Sequence, residues 1–211
     1  MVKISTVLFD LDGVLIDARE WHYEALNSAL DLFGTQISRY DHLVTYNGLP
    51  TRKKLEMLSL ERGLPEGLHE FINELKQVYT MNIIHAKCKP LFQHQYAISR
   101  LKDAGYRMAV CSNSVKQSIE AMLQHADLLQ YFDFFLSNQD VSKPKPDPEI
   151  YLKAMERLGV RAEECLVVED NQNGIKAARA AGAHLLCVAD VTEVNFPNIF
   201  GRIRQLEELN A

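Results

Sequence analysis

The sequence predicts a doubly wound α/β fold: a parallel sheet covered by helices on both faces, interrupted by an all-helical insert after the first strand. Three observations predict it. Five short apolar runs, "ISTVLF", "RMAVC", "FDFFL", "CLVV" and "HLLCV", are almost continuously hydrophobic rather than alternating, as strands buried on both faces are. Helical stretches, Gln117 to His125, Pro148 to Leu158 and Gly174 to Ala181, separate the later runs, which calls for right-handed crossovers. Between Ala18 and about Ala104 no strand pattern occurs at all.

Taken in order, the first run ends at Asp10 and is followed by five helical stretches. These are Glu20 to Phe33, Ser38 to Tyr46, Thr51 to Arg62, Glu66 to Ile84 and Phe92 to Ala104. Leu26, Ala29, Leu30 and Phe33 recur at helical spacing, as do Phe71, Leu75 and Val78, and both stripes are expected in a core. The insert is assigned to residues 18–86, leaving 1–17 and 87–211 as the α/β core. It leaves and rejoins the sheet beside the first polar end, as a lid would. The other runs end in Ser112 and Asn113, in Asn138, in Glu169 and Asp170, and in Asp190. In open parallel sheets the ligand crevice lies beyond the carboxyl ends of the strands, so these groups converge on one rim.

Composition narrows the classes. Of 211 residues, 47% are hydrophobic and 24% charged, ordinary for one core with a modest second unit. Lys and Arg number 23 against 28 Asp and Glu, a net charge of −5, and no basic run is present, so a nucleic-acid partner is not expected. An anionic ligand would need a local site. Cys88, Cys111, Cys165 and Cys187 are widely spaced without a C-x-x-C pair. The last three sit in strand-like runs and are expected to be buried, inert thiols. With no signal-peptide pattern and no apolar stretch of membrane-spanning length, the chain is expected in the cytoplasm, away from membranes.

The stretch "VLFDLDGV" sets Asp10 and Asp12 on one side of a strand end. Two carboxylates about 4 Å apart repel by roughly 4 kcal/mol at an effective dielectric near 20. Glu169 and Asp170 bring further acids to the same rim. A divalent cation and an anionic substrate between them would offset the repulsion. Oxygen-only ligands with no neighbouring His or Cys favour Mg²⁺. Gly13 follows the pair, where a tight turn prefers glycine.

"DLDGV", "VCSNS", "KPKPDPEIY" and "VVEDNQNG", in that order, resemble the haloacid dehalogenase superfamily, and within it the phosphatase and β-phosphoglucomutase-like branch with a helical cap. The likeness spans nearly the whole chain and implies a Rossmann-like core. It implies that Asp10 is the nucleophile, forming an aspartyl-phosphate, and Asp12 the general acid and base. It also implies that Asp10 and Asp170 ligate the metal through side chains and Asp12 through its backbone carbonyl. Glu169 fits either a ligand or a group behind the ligands. Ser112 and Asn113 match the motif that holds the transferring phosphoryl, and both are also good helix caps. The family lysine stands four residues after a hydrophobic residue and six before an aromatic. Measured from Val141 and to Tyr151, Lys145 meets both and Lys143 does not. "NGLPTRKK" resembles the cap's specificity loop, making Thr51 and Arg52 substrate-binding candidates, although Thr51 also reads as a cap and Arg52 to Lys54 as a solvated face. His22 matches a hinge histidine of phosphoglucomutase-like relatives and equally suits an ordinary helix.

The expectation is a Mg²⁺-dependent phosphatase for a small phosphorylated metabolite, such as a sugar phosphate. The alternative is a phosphomutase using the same intermediate. Thr51 stands where such a mutase carries an arginine, which disfavours the alternative. Dehalogenation needs neither a metal nor Asp12 and Asp170. A phospho-receiver would place its lysine after the last acids, not before them.

Overall fold

The computed structural model describes residues 3–46 and 48–209. Five parallel strands form one sheet: β1 Thr6–Phe9, β2 Arg107–Cys111, β3 Phe134–Leu136, β4 Cys165–Glu169 and β5 His184–Cys187, in the order β3-β2-β1-β4-β5. Alternate residues of the central strands feed opposite layers. Val7, Phe9, Met108, Val110, Leu166 and Val168 pack beneath α5 (Phe92–Asp103), α6 (Lys116–His125) and α9 (Phe196–Leu209). Leu8, Ala109, Cys111, Cys165 and Val167 pack beneath α7 (Glu149–Leu158) and α8 (Gln172–Ala180). Burial on both faces is why these runs lack alternation.

The chain builds outward from β1 to β2 and β3, then returns to the other side of β1 with β4 and β5. The direction of winding therefore reverses between β1 and β4. Phe9 is in register with Val168, and the Asp10 amide donates to the Val168 carbonyl at 3.0 Å. Of the next residues on these strands, Asp10 lines the crevice that such a reversal creates, and Glu169 is buried beside it.

Between β1 and α5 come the inserted helices: α1 (Arg19–Asp31), a short α2 (Arg39–Asp41) running into a π-helical turn (His42–Tyr46), α3 (Thr51–Arg62) and α4 (His69–Lys87). They enclose their own apolar cluster of Leu26, Ala29, Leu30, Tyr46, Leu55, Leu58 and Ile72. α4 also packs against α6 of the core, which brings the insert over the strand ends. Among the described residues no helix is long and apolar enough to cross a membrane.

Several details differ from expectation. The segment Ser38 to Tyr46 is one α-turn followed by a π-helical turn, and the chain after β5 ends in a further helix, α9, that the apolar runs did not announce. Phe71 and Val78 are exposed rather than core. The buried row of α4 is Ile72, Lys76, Thr80 and Ile84, four residues apart, so the inward face is offset from the Phe71, Leu75, Val78 stripe. Cys187 is exposed because β5 is an edge strand, whereas Cys88, at the end of α4, is buried along with Cys111 and Cys165.

Candidate active site

Asp10 directly follows β1 and is 4% exposed. Its Oδ1 accepts a 2.8 Å bond from Lys145 Nζ. Lys145 arrives on the loop between β3 and α7, and the same nitrogen donates to Glu169 Oε1 at 2.6 Å and to the Cys111 carbonyl at 2.7 Å. Lys143 is exposed. Asn113 fixes the lysine's backbone: its Oδ1 accepts from the Lys145 amide at 3.0 Å, and its Nδ2 donates to the Lys145 carbonyl at 3.2 Å and the Gly48 carbonyl at 3.1 Å. The side chain expected on the phosphoryl thus ties the lysine loop to the insert.

Glu169 is fully buried. Oε1 also accepts from the Tyr151 hydroxyl at 2.7 Å, and Oε2 accepts from Asn171 Nδ2 at 3.2 Å and the Asp170 amide at 3.2 Å. A Cβ on Gly174 would fall 1.7 Å from Oε1, so only glycine lets α8 approach this carboxylate. Gly13, at φ +93°, plays the same part for Asp170: a Cβ there would stand 2.2 Å from Oδ2.

One oxygen from each of Asp10, Glu169 and Asp170 lies within 4.8 Å of the others. Burial, then Glu169, push the Asp10 carboxyl well above its usual range, against the pull of Lys145. Burial and Glu169 likewise raise Asp170 to about 6. An all-oxygen cluster in which Asp10 and Asp170 resist ionisation suits a small hard cation, and the residues present fit Mg²⁺.

Asp12, two residues on, lines the same cleft with other partners. Its Oδ2 accepts from Ser114 at 2.7 Å and Ser112 at 3.3 Å, and Oδ1 lies 3.0 Å from His22 Nε2. Burial works to raise its pKa, but His22, Ser114 and Lys76 outweigh it and draw it down to about 2. His22 Nδ1 lies 3.3 Å from Lys76 Nζ, so the ring links Lys76 to Asp12. Burial lowers the His22 pKa although Asp12 opposes it.

The cleft runs from Asp10 and Asp12 up between α3 and α4. Thr51, the first residue of α3, lines it; the N-cap is Pro50 and no side chain caps this helix. Arg52 stands at the rim with an 89% exposed side chain and pairs with Glu56 at 3.3 Å. Lys54 is buried, on the face of α3 that carries Leu55 and Leu58. Asn47 of this loop lies outside the described residues. The sequence reading missed Ser114, Tyr151, Asn171 and Lys76, and it put Lys54 on a solvated face of α3, where the structure buries it beside Leu55 and Leu58. Only Lys54 and Lys76 had a legible signal, a lysine at helical spacing from buried leucines or isoleucines.

The family model for haloacid dehalogenase-like hydrolases matches residues 7–188. A phosphorylated carbohydrates phosphatase of Thermotoga maritima is 28% identical over 187 residues, 85% of this chain and 82% of that protein. A phosphoglycolate phosphatase of Aquifex aeolicus is 30% identical over 179 residues, 85% and 82% of the two chains. The crystal structure of a β-phosphoglucomutase from Clostridium difficile superposes with a TM-score of 0.83 at 22% identity, covering 97% of this chain and 99% of that one, which shows a shared fold. The chain belongs to the haloacid dehalogenase-like hydrolases and is an enzyme of their phosphatase kind.

Proposed function

We propose that this protein is a Mg²⁺-dependent phosphatase that hydrolyses a small phosphate monoester through a phosphorylated Asp10. The observation that carries the reading is two neighbouring carboxylates at one strand end held by different partners. Asp10 is bound by Lys145 beside Asp170, and Asp12 is bound by Ser112, Ser114 and His22.

Asp10 and Asp170 would hold the cation, and Glu169, occupied by Lys145, Tyr151 and Asn171, positions the lysine behind them. When bound, the metal supplies positive charge that offsets the carboxylates and the phosphoryl oxygens. Asp10 attacks phosphorus as the bond to the leaving oxygen breaks, and Asp12 gives that oxygen a proton. Asp12 can be loaded through His22, which bridges it to the Lys76 ammonium. Water then attacks the phosphoryl, Asp12 takes its proton, and the Asp10–phosphorus bond breaks to release phosphate. Lys145 stays charged throughout and meets charge as it develops. Helices α1–α4, assigned as a cap over residues 18–86, exclude bulk water and select the leaving group.

The test incubates a panel of phosphate monoesters with purified protein and Mg²⁺, with and without chelator, and follows inorganic phosphate. Metal-dependent release supports the reading. Interconversion of hexose 1- and 6-phosphates with negligible free phosphate would move the function to a phosphomutase, and full activity in chelator would remove the metal from it.

A further inference from the structure

Helix α4 is the last of the insert before the chain returns to the sheet, and it packs against α6 of the core. The side chains that join them by polar contact are few. Ser118 Oγ donates to Gln77 Oε1 at 3.4 Å, and the Cys88 thiol, just past the end of α4, donates to the Met122 carbonyl at 3.6 Å. The shortest such contact among the described residues belongs to two histidines. His85 Nδ1 lies 2.9 Å from His125 Nε2, and the rings meet edge to face with centroids 5.0 Å apart. His85 is exposed and His125 half-buried, so solvent reaches the pair.

A hydrogen bond satisfies the pair when one nitrogen donates and the other accepts. The same placement also suits a cation. Two imidazole nitrogens bound side by side to one ion at about 2.0–2.1 Å stand about 2.9–3.4 Å from each other, and the observed separation is already within that bite. Both residues lie in the last turn of their helices, where the unpaired carbonyl ends favour positive charge. Coordination also leaves the charge of the neutral rings unchanged. Each ring carries its one hydrogen on the far nitrogen, Nε2 of His85 and Nδ1 of His125, and two lone pairs face the ion.

We propose that His85 and His125 form a second metal site, which takes a transition-metal cation such as Zn²⁺ and ties the insert to the core. Imidazole suits Zn²⁺, Ni²⁺ and Cu²⁺, whereas the cluster of Asp10, Glu169 and Asp170 offers only oxygen and suits Mg²⁺. The two sites therefore sort different ions. No third His, Cys or carboxylate comes within reach of the histidine pair among the described residues, so water completes the coordination. With two protein ligands the ion exchanges, and it acts as a reversible cross-link between α4 and α6 rather than a fixed part of the fold. The site is independent of the phosphatase reading, because none of its residues belongs to the cleft.

Calorimetric titration of the whole chain with Zn²⁺, with Mg²⁺ in large excess to occupy the acidic cluster, tests the site. Wild type is expected to bind a Zn²⁺ that His85→Ala and His125→Ala each weaken by roughly 10-fold or more, since the second imidazole of a chelate acts at high effective concentration. Removing the second histidine after the first should cost little further, because the two losses concern one shared site. Zn²⁺ should raise the Tm of wild type and leave that of either variant in place. Cu²⁺ supplies a spectroscopic reading: its electron paramagnetic resonance should show coupling to two nitrogens in wild type and lose it in both variants. His85→Gln and His125→Gln serve if an alanine variant does not fold. Wild type that binds no Zn²⁺ under these conditions overturns the proposal, and so does an affinity left unchanged by the single variants. Losses that add independently also overturn it, by making each histidine a separate site.

Discussion

The Lys145 ammonium stands 2.6 Å from Glu169 Oε1 in a space where the lysine is 3% and the glutamate 0% exposed. With Asp10 and the Cys111 carbonyl as its other partners, all three of its donors are used. Burial opposes the charge, but Asp10 and Glu169 outweigh it and hold the lysine's pKa above its usual value. A cation so placed cannot swing away, and its loss of either carboxylate is felt directly.

Glu169→Gln should therefore destabilise the fold by about 3–5 kcal/mol, the range for breaking a buried ion pair from one side. Denaturant unfolding of the metal-free protein measures it. A change under about 1 kcal/mol would mean that Asp10 alone satisfies the lysine.

Lys145→Ala should lower kcat by roughly 10²–10³-fold, as loss of a preorganised charge at the developing oxyanion does. Lys143→Ala, at an exposed position, should stay close to wild type. The reverse order of the two variants would transfer the role to Lys143.

Gly174→Ala puts a methyl 1.7 Å from a Glu169 oxygen. Either α8 retreats or Glu169 turns and releases Lys145, at a cost of about 1–3 kcal/mol for overpacking. Thermal melts should show it together with a drop in kcat. A stable, fully active variant would show that Glu169 does not need this pose.

Metal binding should weaken as pH falls through about 6. In the metal-free protein burial and Glu169 raise the Asp170 pKa to about 6, so below that value a proton occupies the carboxylate and competes with the cation. The same raised pKa makes the metal-free fold bind more protons than the unfolded chain between the ordinary carboxylate range and pH 6, so its stability should fall as pH rises across that window. Calorimetric Mg²⁺ titrations at pH 5 and 7.5 that gave one affinity would remove Asp170 from the ligand set.

His22→Ala should move the acid limb of the kcat profile to higher pH. Burial raises the Asp12 pKa and His22 is the strongest of the groups that lower it, so without the ring Asp12 protonates sooner and is lost as a base. A limb left in place would detach His22 from Asp12.

Within one chain the legibility of these features divides by physical cause. The strand ends were readable because burial on both sides forces continuous apolar runs, and the first polar residues after them, Asp10, Ser112 and Glu169, must reach the crevice. Tyr151 entered the sequence argument only as a spacing marker, while in the fold its hydroxyl holds Glu169. The α4 stripe was read one position off because Lys76 and Thr80 occupy the inward row where apolar residues were sought.

By itself the sequence determined the winding of the sheet, the place of the helical insert and the acids at the strand ends, since these follow from short-range periodicity and order along the chain. Only the tertiary structure decided how those groups divide their labour. Glu169 lies on Lys145, Asn113 ties the lysine loop to Gly48, and Lys54 turns inward while Arg52 faces water. Each of these depends on the angle at which a helix face meets a partner distant in sequence, and on a burial that one residue's neighbours in the chain do not record.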